Sequence, residues 1–485
     1  MHPHLRRSAT ALAQLIRQGE ASASEVVDVH IAAAERANPR LNAIVRERYD
    51  LARGEARAAD ERLARGDAGE LPPYFGVPCT IKECFAFTGM PHTSGLVSRI
   101  GRIADEDATA VGRLRAAGAI PLGVTNVSEL CMWLESSNRV YGRTNNPYDP
   151  RRIVGGSSGG EGAIIGAGAS PFGLGSDIGG SIRMPAFFNG VFGHKPTGGL
   201  VPGTGQFPMA EGAALRYLST GPLARRAEDL MPLLRLLAGP DGADEGCVPM
   251  ALGDPDSVSL RGLRVLSVPD NGRTPVSNDL RAAQERAASA LASRGAVVTE
   301  ARIPALARSL EIWSAMLGDA GETSFSELLG GDSGHFGFLP QLGRWMLRRS
   351  PHTLPAILLG GLEHANDLTP RRTRRAIAAG HALRAELVER IGPGGVMLYP
   401  SYSRTAPRHH GPLLRPFDWV YTAILNVVEL PVTQVPLGLD GGGLPLGVQV
   451  AGVHGDDHVT IAVARALEED LGGWVPPDAP AGAGG

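Results

Sequence analysis

The stretch that constrains this chain most is residues 153–197, IVGGSSGGEGAIIGAGASPFGLGSDIGGSIRMPAFFNGVFGHKPT. Three serines lie in glycine there: Ser157 and Ser158 in one cluster and Ser181 in another. Glycine admits positive φ and close approach to a ligand, at an entropic cost that a plain connector would avoid. Ser181 follows Asp177, Ile178, Gly179 and Gly180. Consecutive backbone N–H groups in such a turn can converge on one point and stabilise a developing oxyanion. A hydroxyl beside a nest of amides is a sensible site for acyl transfer.

A serine hydroxyl is a poor nucleophile until a base takes its proton. Lys and Arg number 47, yet only Lys82 and Lys195 are lysines. A chain that uses arginine wherever a positive charge suffices keeps lysine where guanidinium cannot substitute, and arginine cannot be deprotonated in a protein. Lys82 sits in GVPCTIKECF, a short apolar run that reads as a buried strand. Burial disfavours the ammonium form and leaves a neutral amine available as a base.

Lys82 precedes Ser157 by 75 residues and Ser181 follows Ser157 by 24. With both Gly-Ser clusters, this order and spacing resemble the amidase signature family of serine hydrolases. Within it, GGSSGGEGA, SELCMWLESSNRVYGRTNNPYD and ELPVTQVPLGLDGGGLPLGVQVAG resemble the fatty-acid amide hydrolase branch, especially its second mammalian type. The resemblance runs from about residue 8 to 474. It implies a catalytic set of Lys82 as base, Ser157 as proton relay after a cis peptide bond, and Ser181 as nucleophile. It also implies an oxyanion hole from the amides of Ile178, Gly179, Gly180 and Ser181. Ser158 and Arg183 are candidate supports of this turn, and Cys131, Met132 and Trp133 are candidates for the acyl wall. An ordinary ion pair at Arg183 and an ordinary aromatic core at 128–150 fit the same residues. Lys195 matches a structural family lysine, paired with carbonyls or a carboxylate, and His194 reads as a packed residue. Pro400, Ser401 and Tyr402 are expected near the site on the same analogy.

Two other readings stay open. The segment 155–159 also fits G-x-S-x-G, a nucleophile elbow, which needs an acid and a histidine such as His454 or His458 downstream. That short motif leaves the Asp177–Ser181 cluster unexplained. The glycines also serve as tight packing turns in a purely structural reading.

At 485 residues, one large α/β domain or two domains are both possible. The resemblance implies one α/β/α sandwich around a mixed, twisted sheet. We expect a helical N-terminal part (1–70), the signature core (71–237), a Gly/Asp/Pro-rich linker (238–261), a C-terminal part (262–475) and a disordered tail (476–485). A net charge of −3 gives no reason to expect nucleic acid or an anionic membrane as principal partner. Four unpatterned cysteines predict neither a disulfide framework nor zinc, so reduced, cytoplasmic thiols are expected. Neither a signal peptide nor a spanning helix is read from the chain.

Along the chain, helices are predicted at 8–17, at 22–37 behind a Ser22/Glu25 capping box, and at 51–65, 108–117, 161–169, 227–237, 278–293 and 459–471. A helix ending at 383–391 leads into a strand at 396–399. Further strands are predicted within 71–87 and at 120–124, 263–268 and 296–301, with a hairpin over 437–452. The unit 263–301 is expected to extend the same sheet. Residues 335–362 join Phe336, Phe338, Leu342, Trp345, Met346 and Leu347 to Arg344, Arg348 and Arg349 around a Ser-Pro break. This composition suits the mouth of an apolar channel resting peripherally on a membrane, as the equivalent region does in the fatty-acid amide hydrolases. It equally suits two core helices or a homodimer interface. The expected function is hydrolysis of a small-molecule carboxylic amide with a hydrophobic or fatty acyl group, through a serine acyl-enzyme and without metal or organic cofactor. The alternatives are ester or carbamate hydrolysis, or service in a complex as a glutamine-amidotransferase-type subunit.

Overall fold

Helix formation at the N-terminus follows its capping residues. Ser8 Oγ accepts from the Ala11 amide at 3.0 Å and opens the helix Ala9–Gln18, which Gly19 closes at φ 71°. Ser22 Oγ accepts from the Glu25 amide at 2.9 Å and opens Ala23–Leu41. The predicted capping box is only half made, because the Glu25 carboxylate turns to His4 Nε2 at 3.1 Å. The helix also runs past the expected end at 37, through Pro39 to a left-handed Asn42. The structure is a computed structural model describing residues 1–66, 71–321, 323–331, 334–365 and 370–477. The expected tail lies, from 478 onward, outside the described residues.

Among the described residues, one mixed sheet of eleven strands runs through the molecule. From one edge its order is Ile44–Glu47, Ile120–Thr125, Pro78–Lys82, Phe172–Asp177, Ser219–Ala224 and Phe192–Lys195. It continues with Val432–Leu439, Pro445–Gly452, Val396–Tyr399, Arg264–Ser267 and Val297–Glu300. Helices cover the sheet, in agreement with the α/β architecture expected. The predicted β-α-β unit at 263–301 is present as Arg264–Ser267, the helix Asn278–Ser293 and Val297–Glu300, with its two strands parallel at the sheet's edge. Residues 238–261 contain neither helix nor strand except a short turn at Pro255–Ser257. Arg113 Nη1 ties their start down through the carbonyls of Leu237, Ala238 and Gly239.

Pro78–Lys82 runs parallel to both Ile120–Thr125 and Phe172–Asp177. Parallel neighbours bring their carboxyl ends to the same edge, where ligands bind in open α/β sheets. Lys82 and Asp177 are the last residues of adjacent strands, and each leads into a loop of the site. Both strands are buried along their whole length, as a parallel strand covered on both faces requires.

The hairpin begins at Val432, five residues before the expected 437. Pro436 sits inside this strand opposite Gly447, so a residue without an N–H is accommodated within a paired strand. Two helices in 335–362 flank the Ser-Pro break, at Phe338–Met346 and Leu354–Ala365. Phe336 and Ile357 are buried in a small cluster with Leu96, Leu130 and Leu329, and Phe338, Leu342 and Trp345 pack against it. Leu339, Met346 and Leu347 stay exposed beside exposed Arg344, Arg348 and Arg349. Among the described residues no helix is long and apolar enough to cross a membrane.

Candidate active site

Lys82 is fully buried at the end of its strand. Its Nζ donates to Ser157 Oγ at 2.7 Å and to Ser176 Oγ at 2.9 Å, with the Ser176 carbonyl at 3.4 Å. Ser176 comes from the neighbouring parallel strand and Ser157 from the loop before the helix Gly159–Gly166. The Gly156–Ser157 peptide bond is cis, as the family resemblance implies. Glycine is required at position 156, where a Cβ would lie 2.1 Å from the Trp133 carbonyl oxygen. That approach sets the backbone of the Cys131–Trp133 segment directly against the serine loop.

Ser158 braces the two loops. Its amide donates to the Ser181 carbonyl at 3.1 Å and its Oγ to the Ser176 carbonyl at 3.3 Å. Ser136 Oγ donates to the carbonyls of Gly155 and Ser157 from the other side. Cys131, at φ 58°, lies close to Cys84, Ser157 and Ser94, and its interaction with Cys84 is the largest influence lowering its pKa. Met132 and Trp133 are half-buried beside it.

The turn 177–181 is organised by Asp177 and Arg183, whose side chains are completely buried. Arg183 Nε and Nη2 donate to the two carboxylate oxygens at 3.0 and 2.9 Å. Nη1 donates to the Thr422 carbonyl and Gln449 Oε1, and Nη2 also reaches Asn426 Oδ1. Burial alone would raise the Asp177 pKa, but the Arg183 guanidinium, Asn426 and Lys195 hold it well below the usual carboxylate range. A buried carboxylate thus stays charged, because both its oxygens are met by donors. Pro400 is linked to this network, its carbonyl accepting from Gln449 Nε2 at 2.7 Å.

One member of the expected amide set is spoken for. The Gly180 N–H donates to Asp177 Oδ1 at 2.7 Å and so braces the turn. The amides of Ile178, Gly179 and Ser181 donate to no group among the described residues. Ser181 is 7% exposed, whereas Ser158 is fully buried.

The remaining candidates fall outside this centre. Lys195 Nζ donates to the Pro196 carbonyl at 2.7 Å and approaches Ser219 Oγ at 3.5 Å, and burial lowers its pKa to about 7. His194 is packed between Thr433 and Asp457, at 2.9 and 3.0 Å. His454 contacts Arg216 and Glu429, and His458 lies against Gly253, so neither serves Ser157 as the elbow reading needs.

Sequence reasoning missed Trp313, Thr422 and Asn426. Trp313 Nε1 donates to the Ile178 carbonyl at 3.0 Å and Thr422 Oγ1 to that of Gly179 at 2.8 Å. Asn426 Nδ2 donates to the Asp177 carbonyl at 2.8 Å. Thr422 and Asn426 are four residues apart on the helix Val420–Val427, a spacing that puts both on one face. That spacing of polar residues inside an apolar run is the signal that could have found them.

The amidase family model matches residues 25–461. Human fatty-acid amide hydrolase 2 is 45% identical over 490 residues, covering 98% of this chain and 91% of that protein. A glutamyl-tRNA(Gln) amidotransferase polypeptide of Neisseria meningitidis serogroup C (strain 053442) is 31% identical, covering 90% of this chain and 92% of that protein. Among solved structures, a fatty acid amide hydrolase superimposes with a TM-score of 0.81 at 24% identity, over 98% of this chain and 87% of that one, a likeness of fold.

Proposed function

The chain belongs to the amidase family, and on that premise we propose that it hydrolyses amides of hydrophobic acyl groups through an acyl-enzyme on Ser181. The observation that carries this reading is the 2.7 Å approach of Lys82 Nζ to Ser157 Oγ, next to a turn with unoccupied amides. Acting as the base, Lys82 takes the proton of Ser157 as Ser157 takes that of Ser181. The Ser181 oxygen bonds the substrate's carbonyl carbon, and the carbonyl π pair moves onto oxygen. The amides of Ile178, Gly179 and Ser181 stabilise that oxyanion, where each well-aimed donor counts most. As the tetrahedral species collapses, the C–N bond breaks and the proton returns through Ser157 to the departing nitrogen. Water then repeats the cycle on the ester, releasing the acid and restoring Ser181.

The likeness to human fatty-acid amide hydrolase 2 supports a fatty or similarly apolar acyl group. So does the segment Cys131, Met132, Trp133 beside the serine loop. We further propose that exposed Leu339, Met346 and Leu347, with Arg344, Arg348 and Arg349, seat the channel mouth on a membrane surface. The amidotransferase likeness keeps a second reading, ammonia release within a complex, in play at lower identity.

Fluorophosphonate treatment tests the nucleophile. Mass spectrometry is expected to place the adduct on Ser181, and Ser181→Ala to abolish both adduct and turnover. An adduct on Ser157 would overturn the assignment and favour the elbow.

A further inference from the structure

The oxyanion turn is held by its carbonyls. Asn426 Nδ2 holds that of Asp177, Trp313 Nε1 that of Ile178, and Thr422 Oγ1 that of Gly179. The Met184 amide holds that of Gly180 at 2.7 Å and the Ser158 amide that of Ser181 at 3.1 Å. Across a planar trans peptide, C=O and N–H point in opposite directions. Fixing each carbonyl therefore aims the next residue's amide.

The peptides differ in how firmly they are fixed. The Gly179–Gly180 peptide is gripped at both ends, by Thr422 Oγ1 and by Asp177 Oδ1. The Gly180–Ser181 peptide is anchored by the Met184 amide, at the start of the helix Arg183–Phe188. The Ile178–Gly179 peptide has one hydrogen-bond partner among the described residues, the indole N–H of Trp313. Its second residue is glycine, the residue least able to hold a peptide plane unaided. Trp313 comes from the helix Ser309–Ala320 and its ring meets that of Trp419 edge-on, with centroids 4.8 Å apart. Both indoles cover Gly179, where a Cβ would lie 3.3 Å from Trp419 and 3.5 Å from Trp313.

We propose that Trp313 is a positioning residue of the oxyanion hole, its indole N–H holding the Ile178 carbonyl so that the Gly179 amide faces the oxygen that becomes negative. This rests on the acyl-enzyme reading of Ser181. The indole never touches the reacting atoms. Its contribution is to keep one donor from rotating away in the interval before the negative charge arrives.

Trp313→Phe keeps an aromatic ring against Trp419 and removes the donor. Loss of a whole oxyanion donor costs about 10²–10³ in kcat, so a donor left present but unaimed is expected to cost about tenfold, with KM within about twofold. Amide and ester substrates are expected to slow alike, because both pass through the same oxyanion. The decisive readout is a trifluoromethyl ketone, which forms a hemiketal anion on the nucleophile. Its affinity is expected to fall by the same factor as kcat/KM, while that of the product carboxylate is unchanged. If Trp313→Phe does not fold, benzothienylalanine at 313, indole's isostere without the N–H, supplies the same comparison. Unchanged ketone affinity in a folded variant overturns the inference. Ser181→Ala separates the two ideas: activity surviving in that variant sinks the acyl-enzyme reading itself. A silent Ser181→Ala with undiminished ketone binding in Trp313→Phe sinks only the role of Trp313.

Discussion

Glu161 Oε2 accepts a hydrogen bond from Thr80 Oγ1 at 2.6 Å, deep beneath the serine loop, and Thr125 Oγ1 donates to its other oxygen at 2.8 Å. The carboxyl is wholly buried and faces Lys82 only through space. Burial raises its pKa from 4.5 to about 8, against the pull of both threonines and of Lys82. A protonated Glu161 can donate to a threonine hydroxyl, since Thr125 Oγ1 has the Ile81 carbonyl at 3.4 Å as an alternative acceptor.

The folded chain therefore keeps a proton on Glu161 that the unfolded chain releases near pH 4.5. Stability falls with rising pH wherever the native state binds more protons, here from about pH 5 to about pH 8. Glu161→Gln removes this one contribution, so the variant is expected to gain on the wild type steadily across that window. Urea unfolding of both proteins at several pH values measures the difference. A difference that stays constant from about pH 5 to pH 9 would show that Glu161 does not carry the proton.

Lys82→Ala is expected to slow amide cleavage by about 10²–10⁴ and cleavage of an activated ester much less. An amine must be protonated as it leaves, whereas an activated phenolate departs unaided. Paired anilide and phenyl ester substrates with one acyl group make the comparison. Equal losses on both would take proton delivery to the leaving group away from Lys82.

The exposed face of the helix Phe338–Met346 gives a third expectation. Leu342 and Trp345 pack inward, so charging them would damage the fold, whereas Leu339, Met346 and Leu347 point outward. The triple change to glutamate at 339, 346 and 347 is expected to abolish flotation with anionic liposomes. Turnover of a short, soluble amide should be unaffected. Wild-type protein that does not float would reduce this surface to packing or to a contact between copies.

Much of the site could be read from the chain because its chemistry is local. Gly-Ser clusters and a lysine in an arginine-rich protein carry their meaning within a few residues. The bracing groups are different: Trp313 reaches Ile178 from 135 positions away and Asn426 reaches Asp177 from 249. Nothing near either residue announces its partner. The helix Val420–Val427 is apolar on nearly every side, and periodicity does not distinguish such a run from a buried strand. Gly180 was legible as part of the turn but not as a brace, because only the folded Asp177 side chain claims its amide. Pro436 hid the start of its strand, since proline argues against a central strand in sequence.

Both lysines of this chain are sealed inside it, Lys82 and Lys195 each showing no accessible surface. The folded exterior consequently presents positive charge only as guanidinium and imidazole, apart from the chain's own α-amine. Amine-directed chemistry, whether a succinimidyl ester dye, an acetyl donor or an isopeptide-forming tag, meets no ε-amino group until the protein opens. Acylation of Lys82 or Lys195 by such a reagent is thus a clock for unfolding. Conjugation through an α-amine-selective reagent leaves Lys82 untouched.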